Sequence, residues 1–112
     1  MLKCDQGLRK RREFEEVYSS GKRFFGRFLV MYVKDNGCGR NRYGIVAGKK
    51  VGKAVTRNRV KRRLREIVRL YDVRMKKGYD VVLVARPTTA MADFVGLGHD
   101  YESLLRRSKL LK

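Results

Sequence analysis

A long amphipathic segment, residues 51–72, is the feature that most constrains how this chain can fold. Its apolar residues recur at i, i+4, i+7, i+8 and i+11, so they share one stripe of an α-helix. They are Val60, Leu64, Ile67, Val68 and Tyr71. The opposite side of the helix is cationic and cannot pack into a core. We therefore predict a dominant helix that covers a second layer of structure.

A shorter helix and a strand are predicted before it. Residues 11–20 carry Phe14, Val17 and Tyr18 at i, i+3 and i+4, and Gly21 follows at the position of a left-handed C-terminal cap. Residues 24–33 are rich in β-branched and aromatic side chains, which indicates a strand. Its alternation places Phe28, Val30 and Tyr32 on one face and Leu29, Met31 and Val33 on the other.

Three further elements complete the predicted fold. A turn cluster at residues 35–39 leads into residues 43–48, the predicted second strand of a hairpin. The apolar run 81–85, ended by Pro87, indicates a central strand covered on both faces. A last helix, with Asp93 as its N-cap, has apolar spacing through Phe94, Leu97, Tyr101, Leu104, Leu105 and Ser108. The order predicts a single α+β domain over residues 1–112, a small α/β sandwich with helices packed on a four-stranded mixed sheet.

The charge of the chain points to a polyanionic partner. Lys and Arg total 29 against 11 Asp and Glu, for a formal net charge of +18. A field of this size favours binding to nucleic acid or to an anionic membrane surface. No apolar run approaches the roughly 18 residues of a spanning helix, and no signal-peptide pattern opens the chain. Nucleic acid is therefore the predicted partner.

The positive charge is concentrated between residues 49 and 69. Only Glu66 opposes ten cationic residues in this basic stretch. They are Lys49, Lys50, Lys53, Arg57, Arg59, Lys61, Arg62, Arg63, Arg65 and Arg69. Like charges at i, i+4 repel on a helix, so a phosphate backbone would relieve the repulsion. If roughly six to ten phosphates are contacted, affinity should fall by about 10³ to 10⁵ between 50 and 200 mM salt, and a flat titration would argue against it.

Residues 48–66 read GKKVGKAVTRNRVKRRLRE, which resembles the signature of the bacterial ribonuclease P protein family. The hallmark Arg-Asn-Arg motif of that family is matched by Arg57, Asn58 and Arg59. The first helix, the first strand and the strand that ends at Pro87 resemble the family as well. The resemblance implies a left-handed crossover between two parallel strands, against the usual right-handed rule, in a fold also found in a ribosomal protein domain.

The same resemblance implies a function. In this family the protein helps a catalytic RNA remove the 5′ leader of precursor tRNA, and the RNA subunit holds the magnesium ions and performs the hydrolysis. We therefore expect the catalytic RNA and precursor tRNA as partners, no cofactor bound by the protein alone, and no obligate protein partner or membrane. The expected location is the cytoplasm.

The family binds the single-stranded leader in a cleft between its first helix and its sheet. Phe14, Tyr18 and Tyr32 match the aromatic residues of that cleft, and Phe28 and Val30 share the predicted strand face with Tyr32. Aromatic faces suit this role, since bases stack on them whatever their sequence. Burial in the core is the alternative for each ring, and for Phe14 the two readings are equally open.

The remaining candidate residues are cationic. Lys49, Lys50, Arg57, Arg59 and Lys61 are assigned to the catalytic RNA and the neighbourhood of the cleavage site, with Lys53, Arg62, Arg65 and Arg69 extending the same surface. The Asn58 amide could instead brace local backbone. Arg9, Arg11 and Arg12 are expected to add weaker phosphate contacts, and a solvated helix start explains them nearly as well.

An active site of the protein's own is not expected. Nucleases need paired carboxylates for metal ions or a pair of histidines, whereas His99 is the single histidine and the acidic residues are scattered. Cys4 and Cys38 lack the second pair that a zinc site requires, and both are expected to be reduced thiols, with a chance disulfide as the alternative. The main alternative function is that of a ribosomal or other structural RNA-binding protein.

Overall fold

In the part of the chain that the structure describes, three helices and four strands follow the predicted order, except that two strands replace the first predicted one. The structure is a computed structural model, and it describes residues 7, 8 and 10–112. The elements are α1 (Arg11–Ser20), β1 (Lys22–Phe25), β2 (Leu29–Asp35), β3 (Arg42–Val46), α2 (Ala54–Asp72), β4 (Tyr79–Ala85) and α3 (Phe94–Arg107). Short 3-10 turns, Lys49–Val51 and Pro87–Met91, follow β3 and β4.

The sheet is mixed, and its strand order is β1-β2-β4-β3. β2 is antiparallel to both β1 and β4, whereas β3 is parallel to β4. The predicted α+β class is therefore confirmed. The apolar strand β4 lies between β2 and β3, as its unbroken hydrophobic run predicts. Helix α2 connects the parallel neighbours β3 and β4, and the left-handed sense of that connection stays a prediction.

The main core lies on one side of the sheet, beneath α2 and α3. We call this side the closed face; β2 and β4 contribute Leu29, Met31, Val33, Val81, Leu83 and Ala85 to it, all buried. The predicted stripe of α2 is buried against it at Val60, Leu64, Ile67 and Val68, and that of α3 at Leu97, Tyr101, Leu104 and Leu105. The Asp93 side chain accepts a hydrogen bond from the Gly96 N–H at 2.7 Å, so the predicted N-cap of α3 is present.

The single strand predicted at residues 24–33 is wrong, because the chain turns in its middle. β1 and β2 form a hairpin whose turn is held by Asp100 of α3. The Asp100 carboxylate accepts backbone N–H groups of Arg27, Phe28 and Leu29 at 2.8 to 3.0 Å. A Cβ at Gly26 would lie 2.6 Å from Asp100 Oδ2, so a side chain there would displace the carboxylate that holds this turn. The residue that fixes the turn is far along the chain and cannot be read from local alternation.

Two other local expectations are corrected. The strand predicted at residues 43–48 does not pair with β2 in a hairpin, because β4 is inserted between them. Gly21 has φ −83°, so it is not a left-handed cap. Glycine is required there for another reason: a Cβ would lie 2.5 Å from the Val17 carbonyl oxygen and 2.8 Å from that of Val33. The end of α1 thus approaches β2 backbone to backbone.

The start of α2 and the state of Cys38 also differ from expectation. The helix begins at Ala54, because Lys49–Val51 forms a 3-10 turn and Gly52 has φ 146°, a value that L-residues rarely adopt. Cys38 is disulfide-bonded, so the prediction of a reduced thiol is wrong for this residue. Cys4 lies outside the described residues.

Candidate nucleic-acid interface

The other side of the sheet, which we call the open face, is only partly covered by α1. Its side chains form three rows across the strands, because residues paired in register share a face. The anchor row is Lys34, Asp80 and Arg42; the aromatic row is Arg23, Tyr32, Val82 and Gly44; the outer row is Phe25, Val30, Val84 and Val46. Neighbouring rows are about 7 Å apart along the strands.

The anchor row attaches α1 to the sheet through charge. The Arg42 guanidinium donates to both carboxylate oxygens of Asp80, from Nε at 2.8 Å and from Nη2 at 2.7 Å. Its Nη1 donates to Glu13 Oε2 of α1 at 3.3 Å. Arg42 and Asp80 are buried, and the hydrogen bonds that Arg42 donates to Asp80 raise the pKa of Arg42. A bidentate pair of this kind fixes the orientation of both partners.

The aromatic row holds the rings that α1 presents. Val17 is fully buried against Val82 and Leu8. Phe14 lies over Gly44, where a Cβ would come within 2.5 Å of a ring carbon, so the absence of a side chain makes room for this ring. Tyr18 meets Tyr32 edge to face, with ring centroids 4.8 Å apart. The ring centroid of Phe14 is 6.4 Å from that of Tyr18, so three predicted cleft aromatics form one continuous group.

Tyr18 lies at the boundary between this group and solvent. Its side chain is 39% exposed, the most of the three rings. Burial raises the pKa of the Tyr18 phenol, and the neighbouring Tyr32 phenol adds to the shift. The Tyr18 hydroxyl is therefore neutral at physiological pH and can donate a hydrogen bond, while the exposed part of its ring offers a surface for stacking.

The outer row continues beyond α1 as a floor of apolar side chains. Val30, Val84 and Val46 are half-buried, and Phe25 at the β1 end is 54% exposed. Val30 was predicted for the site, whereas Phe25, Val46 and Val84 were missed. Strand alternation in β4 identifies Val84 as facing away from Leu83, but only the register between strands shows that these residues lie in line.

Phe28 does not join this group. It precedes β2 in the turn, packs against the core of the closed face and lies under the Arg27 guanidinium, whose carbon is 5.2 Å from the ring centroid. The bend at Gly26 breaks the alternation that placed Phe28 with Tyr32. Of the five predicted cleft residues, the structure therefore brings together Phe14, Tyr18, Val30 and Tyr32.

The basic stretch begins where β3 ends, beside the outer row. Lys49, Lys50 and Lys53 are exposed between Val46 and the first turn of α2. The Nε atoms of Arg57 and Arg59 are buried and have no hydrogen-bond partner among the described residues. Asn58 between them is exposed, and no hydrogen bond of its side chain is found in the described part. Both guanidinium groups of the Arg-Asn-Arg motif are therefore partly buried, at Nε, and both arginines are half-buried.

Few of these ten cations are neutralised within the protein. Arg69 pairs with Glu66 at 2.5 Å, and within the described residues it is the single member of the basic stretch with an ion-pair partner. Arg63 donates to the Ala92 carbonyl at 3.1 Å, which ties α2 to the segment before α3. Lys61 is half-buried, and Arg62 and Arg65 are exposed. The charge on this helix is therefore available to a partner.

The N-terminal candidates contribute less. Arg11 pairs with Glu15 one turn further along α1 at 2.9 Å, and Arg12 is exposed. Arg9 lies outside the described residues.

A groove of about 1070 Å³ runs along the outer edge of β3 and includes Phe14, Arg40, Arg65 and Arg69 in its lining. None of the described helices is both long and apolar enough to cross a membrane.

Comparison with known sequences places this chain in a protein family. The ribonuclease P family model matches residues 2–109 of the chain. The ribonuclease P protein component of Caldanaerobacter subterraneus is 50% identical over 103 residues, covering 92% of this chain and 89% of that protein. That of Syntrophomonas wolfei is 42% identical over 110 residues, covering 98% and 92%.

Solved structures agree with the sequence matches. The ribonuclease P protein of Staphylococcus aureus superposes with a TM-score of 0.86 at 26% identity, covering 94% of this chain and 96% of that one. The ribonuclease P protein of Thermotoga maritima gives a TM-score of 0.83 at 34% identity, with coverage of 91% and 96%. The likeness thus extends over sequence and fold alike.

Proposed function

The chain belongs to the ribonuclease P protein family, and we propose that its open face binds the single-stranded 5′ leader of precursor tRNA. As a family member, it is a subunit of the ribonuclease P holoenzyme, which processes tRNA 5′ ends and whose RNA carries the catalysis. The alternative of a ribosomal protein is not favoured, since these matches are to ribonuclease P proteins. We take residues 1–112 as one domain in this role.

The observation that carries the proposal is the exposed aromatic group beside an apolar floor. Tyr18 and Tyr32 meet edge to face at the border of the area that α1 covers. The outer row lies next to them, about 7 Å further along the strands. Bases of single-stranded RNA can stack on such rings and lie against the valines without any requirement for sequence. An enzyme that processes many different precursors needs that tolerance.

The basic stretch is assigned to the catalytic RNA. We assign Lys49, Lys50, Arg57, Arg59 and Lys61 to the neighbourhood of the cleavage site. The basic stretch starts at the β3 end of the outer row, so this assignment sets the direction in which the leader would cross the sheet. Lys53, Asn58, Arg62, Arg65 and Arg69 would extend the contact along α2, and Arg9, Arg11 and Arg12 would contribute weakly. Phosphate contacts of this kind position a protein and carry no sequence information.

The chemistry is assigned to magnesium ions held by the RNA subunit, and the protein supplies substrate affinity. Cations spread over one face reduce the repulsion between the catalytic RNA and precursor tRNA, so the protein should matter most where few other cations are present. We assign this work to the cytoplasm.

Reconstitution tests the proposal. Cleavage of precursor tRNA by a bacterial ribonuclease P RNA is measured at low magnesium, with and without the protein. The protein is expected to raise the rate and to tighten the binding of leader-bearing precursor relative to mature tRNA. An equal rate with and without the protein would contradict the proposed role.

Tyr32→Ala tests whether the binding of the leader depends on the open face. It should weaken the binding of leader-bearing precursor by about fivefold or more, the lower end for loss of one stacked base, and leave mature tRNA nearly unchanged. Tyr71→Ala is the matched control, since Tyr71 is half-buried on α2 and donates to Glu102 of α3 at 2.8 Å. Equal losses for precursor and mature tRNA would remove Tyr32 from the leader site.

A further inference from the structure

We propose that the edge strand β1 carries a further nucleotide-binding subsite, formed by the guanidinium of Arg23 stacked on the exposed ring of Phe25. Its ligand is a nucleotide of single-stranded RNA, bound at the end of the outer row farthest from β3. The inference rests on the proposed function of the open face. It adds a binding position, at β1, for the part of the RNA that has crossed the sheet.

The position of the pair follows from strand register. Arg23 lies opposite Tyr32 and Phe25 lies opposite Val30, so both side chains project from the open face. The guanidinium carbon of Arg23 is 4.8 Å from the centroid of the Phe25 ring. Phe25 is 54% exposed even with this cation above it. The pair therefore continues the surface of Tyr32 and Val30 to the edge of the sheet.

Packing of the fold does not account for this ring. Within β1 it is Phe24, half-buried against the main core, that attaches the strand to the closed face. Phe25 points the other way. An exposed large ring alone is ordinary on a protein surface, but this one extends an apolar row and has a cation stacked on it.

The charges around the pair favour an anionic ligand. Arg23 has no ion-pair partner among the described residues, and Arg27 and Arg86 lie in or beside the same turn. Arg86 Nη1 donates to the Gly26 carbonyl at 3.0 Å, which holds its guanidinium at the turn. The nearby Asp100 carboxylate points at backbone N–H groups of the turn. Phosphates that arrive at β1 would therefore meet cations.

The chemistry of the pair matches a single nucleotide. A base can stack on the Phe25 ring or on the guanidinium plane, while the guanidinium N–H groups donate to the adjoining phosphate. The pair lies three strand spacings, about 14 Å, from β3, where the basic stretch begins. Only a leader long enough to cross the sheet from the cleavage site can reach it. The subsite therefore predicts a dependence on leader length.

The test uses the reconstituted holoenzyme and a series of precursor tRNAs whose leaders lengthen one nucleotide at a time. Phe25→Leu keeps an apolar side chain and removes the stacking surface, whereas Phe25→Tyr keeps the ring. We expect Phe25→Leu to weaken binding about fivefold or more for long leaders. Short leaders and mature tRNA should be unaffected, and Phe25→Tyr should bind as the original protein does.

Arg23→Ala should weaken the same long-leader precursors and reduce the salt dependence of their binding. Arg107→Ala is the matched control, because it removes one exposed cation from α3, on the closed face. Urea unfolding of each variant checks that the fold is kept.

Two results would overturn the subsite. If Phe25→Leu binds every leader length as the original protein does, while Tyr32→Ala weakens precursor more than mature tRNA, the subsite is refuted and the proposed function stands. If Phe25→Leu weakens mature tRNA as much as long-leader precursor, its role is structural and the subsite is likewise refuted. If Tyr32→Ala also weakens precursor and mature tRNA equally, or changes the binding of neither, the proposed function itself is refuted.

Discussion

The two faces of the sheet are built from alternate residues of the same strands, yet they are held by different forces. The closed face is covered by two helices, and the side chains that β2 and β4 contribute to it are buried. The open face is covered by one short helix, attached by ion pairs from Arg42 to Glu13 and from Lys34 to Glu16 and by a few apolar contacts. Stability is therefore concentrated on one face, which leaves the other free to keep apolar surface exposed for a ligand.

The difference shows how a small domain can display an RNA-binding surface without losing its fold. In β4, Leu83 faces the main core and is 1% exposed, while Val84 next to it faces the outer row and is half-buried. A single step along the chain separates a residue that holds the fold from one that is available to a partner.

The largest expected effect tests the polar attachment of the open face. Asp80→Ala leaves the Arg42 guanidinium buried without its bidentate partner, and loss of one member of a buried pair costs about 3 to 5 kcal/mol. Urea unfolding should show a loss of this size. A loss below about 1 kcal/mol would mean that the pair is solvated and contributes little to the stability of the sheet.

Replacing both partners sharpens this test. The double variant Arg42→Met with Asp80→Leu removes the charges together and should recover most of the stability, because apolar substitutes for a buried pair are often nearly neutral. It also removes the bond from Arg42 to Glu13 that orients α1. We therefore expect this variant to fold but to bind leader-bearing precursor less well than the original protein.

The next effect compares the two faces within one strand. Leu83→Ala should destabilise the protein by about 2 to 5 kcal/mol through the cavity it leaves. Val84→Ala removes two methyl groups that are only half-buried and should cost about 1 kcal/mol. Binding to precursor tRNA should show the reverse order, with Val84→Ala weakening leader-bearing precursor more than a folded sample of Leu83→Ala. Equal effects in both measurements would erase the distinction between the faces.

Much of the fold could be predicted because its signals are local. The stripe of α2, the N-cap of α3 and the apolar run of β4 each reside in one segment, and each is confirmed. The turn between β1 and β2 is held by Asp100 of α3, and β3 pairs with β4 and not with β2. Both features depend on contacts between segments that are far apart in the sequence. Local periodicity therefore predicted one continuous strand through Gly26, where the chain in fact turns.

The candidate site divides in the same way. Phe14, Tyr18, Tyr32 and Val30 were predicted and are brought together. Phe25, Val46 and Val84 were missed because register between strands is invisible in a single segment. The Arg42–Asp80 pair was missed as well, since a basic chain offers many arginines and only the tertiary fold shows which one is buried.

The most direct test of the account is a map of where single-stranded RNA contacts the two faces. Methyl groups of the full chain are followed by NMR while a leader-sequence oligonucleotide is added. The account predicts shifts at Val30, Val46 and Val84, with Leu29, Met31 and Leu83 nearly unchanged. Shifts centred on the methyl groups of the closed face, or none on the open face at saturating RNA, would contradict it.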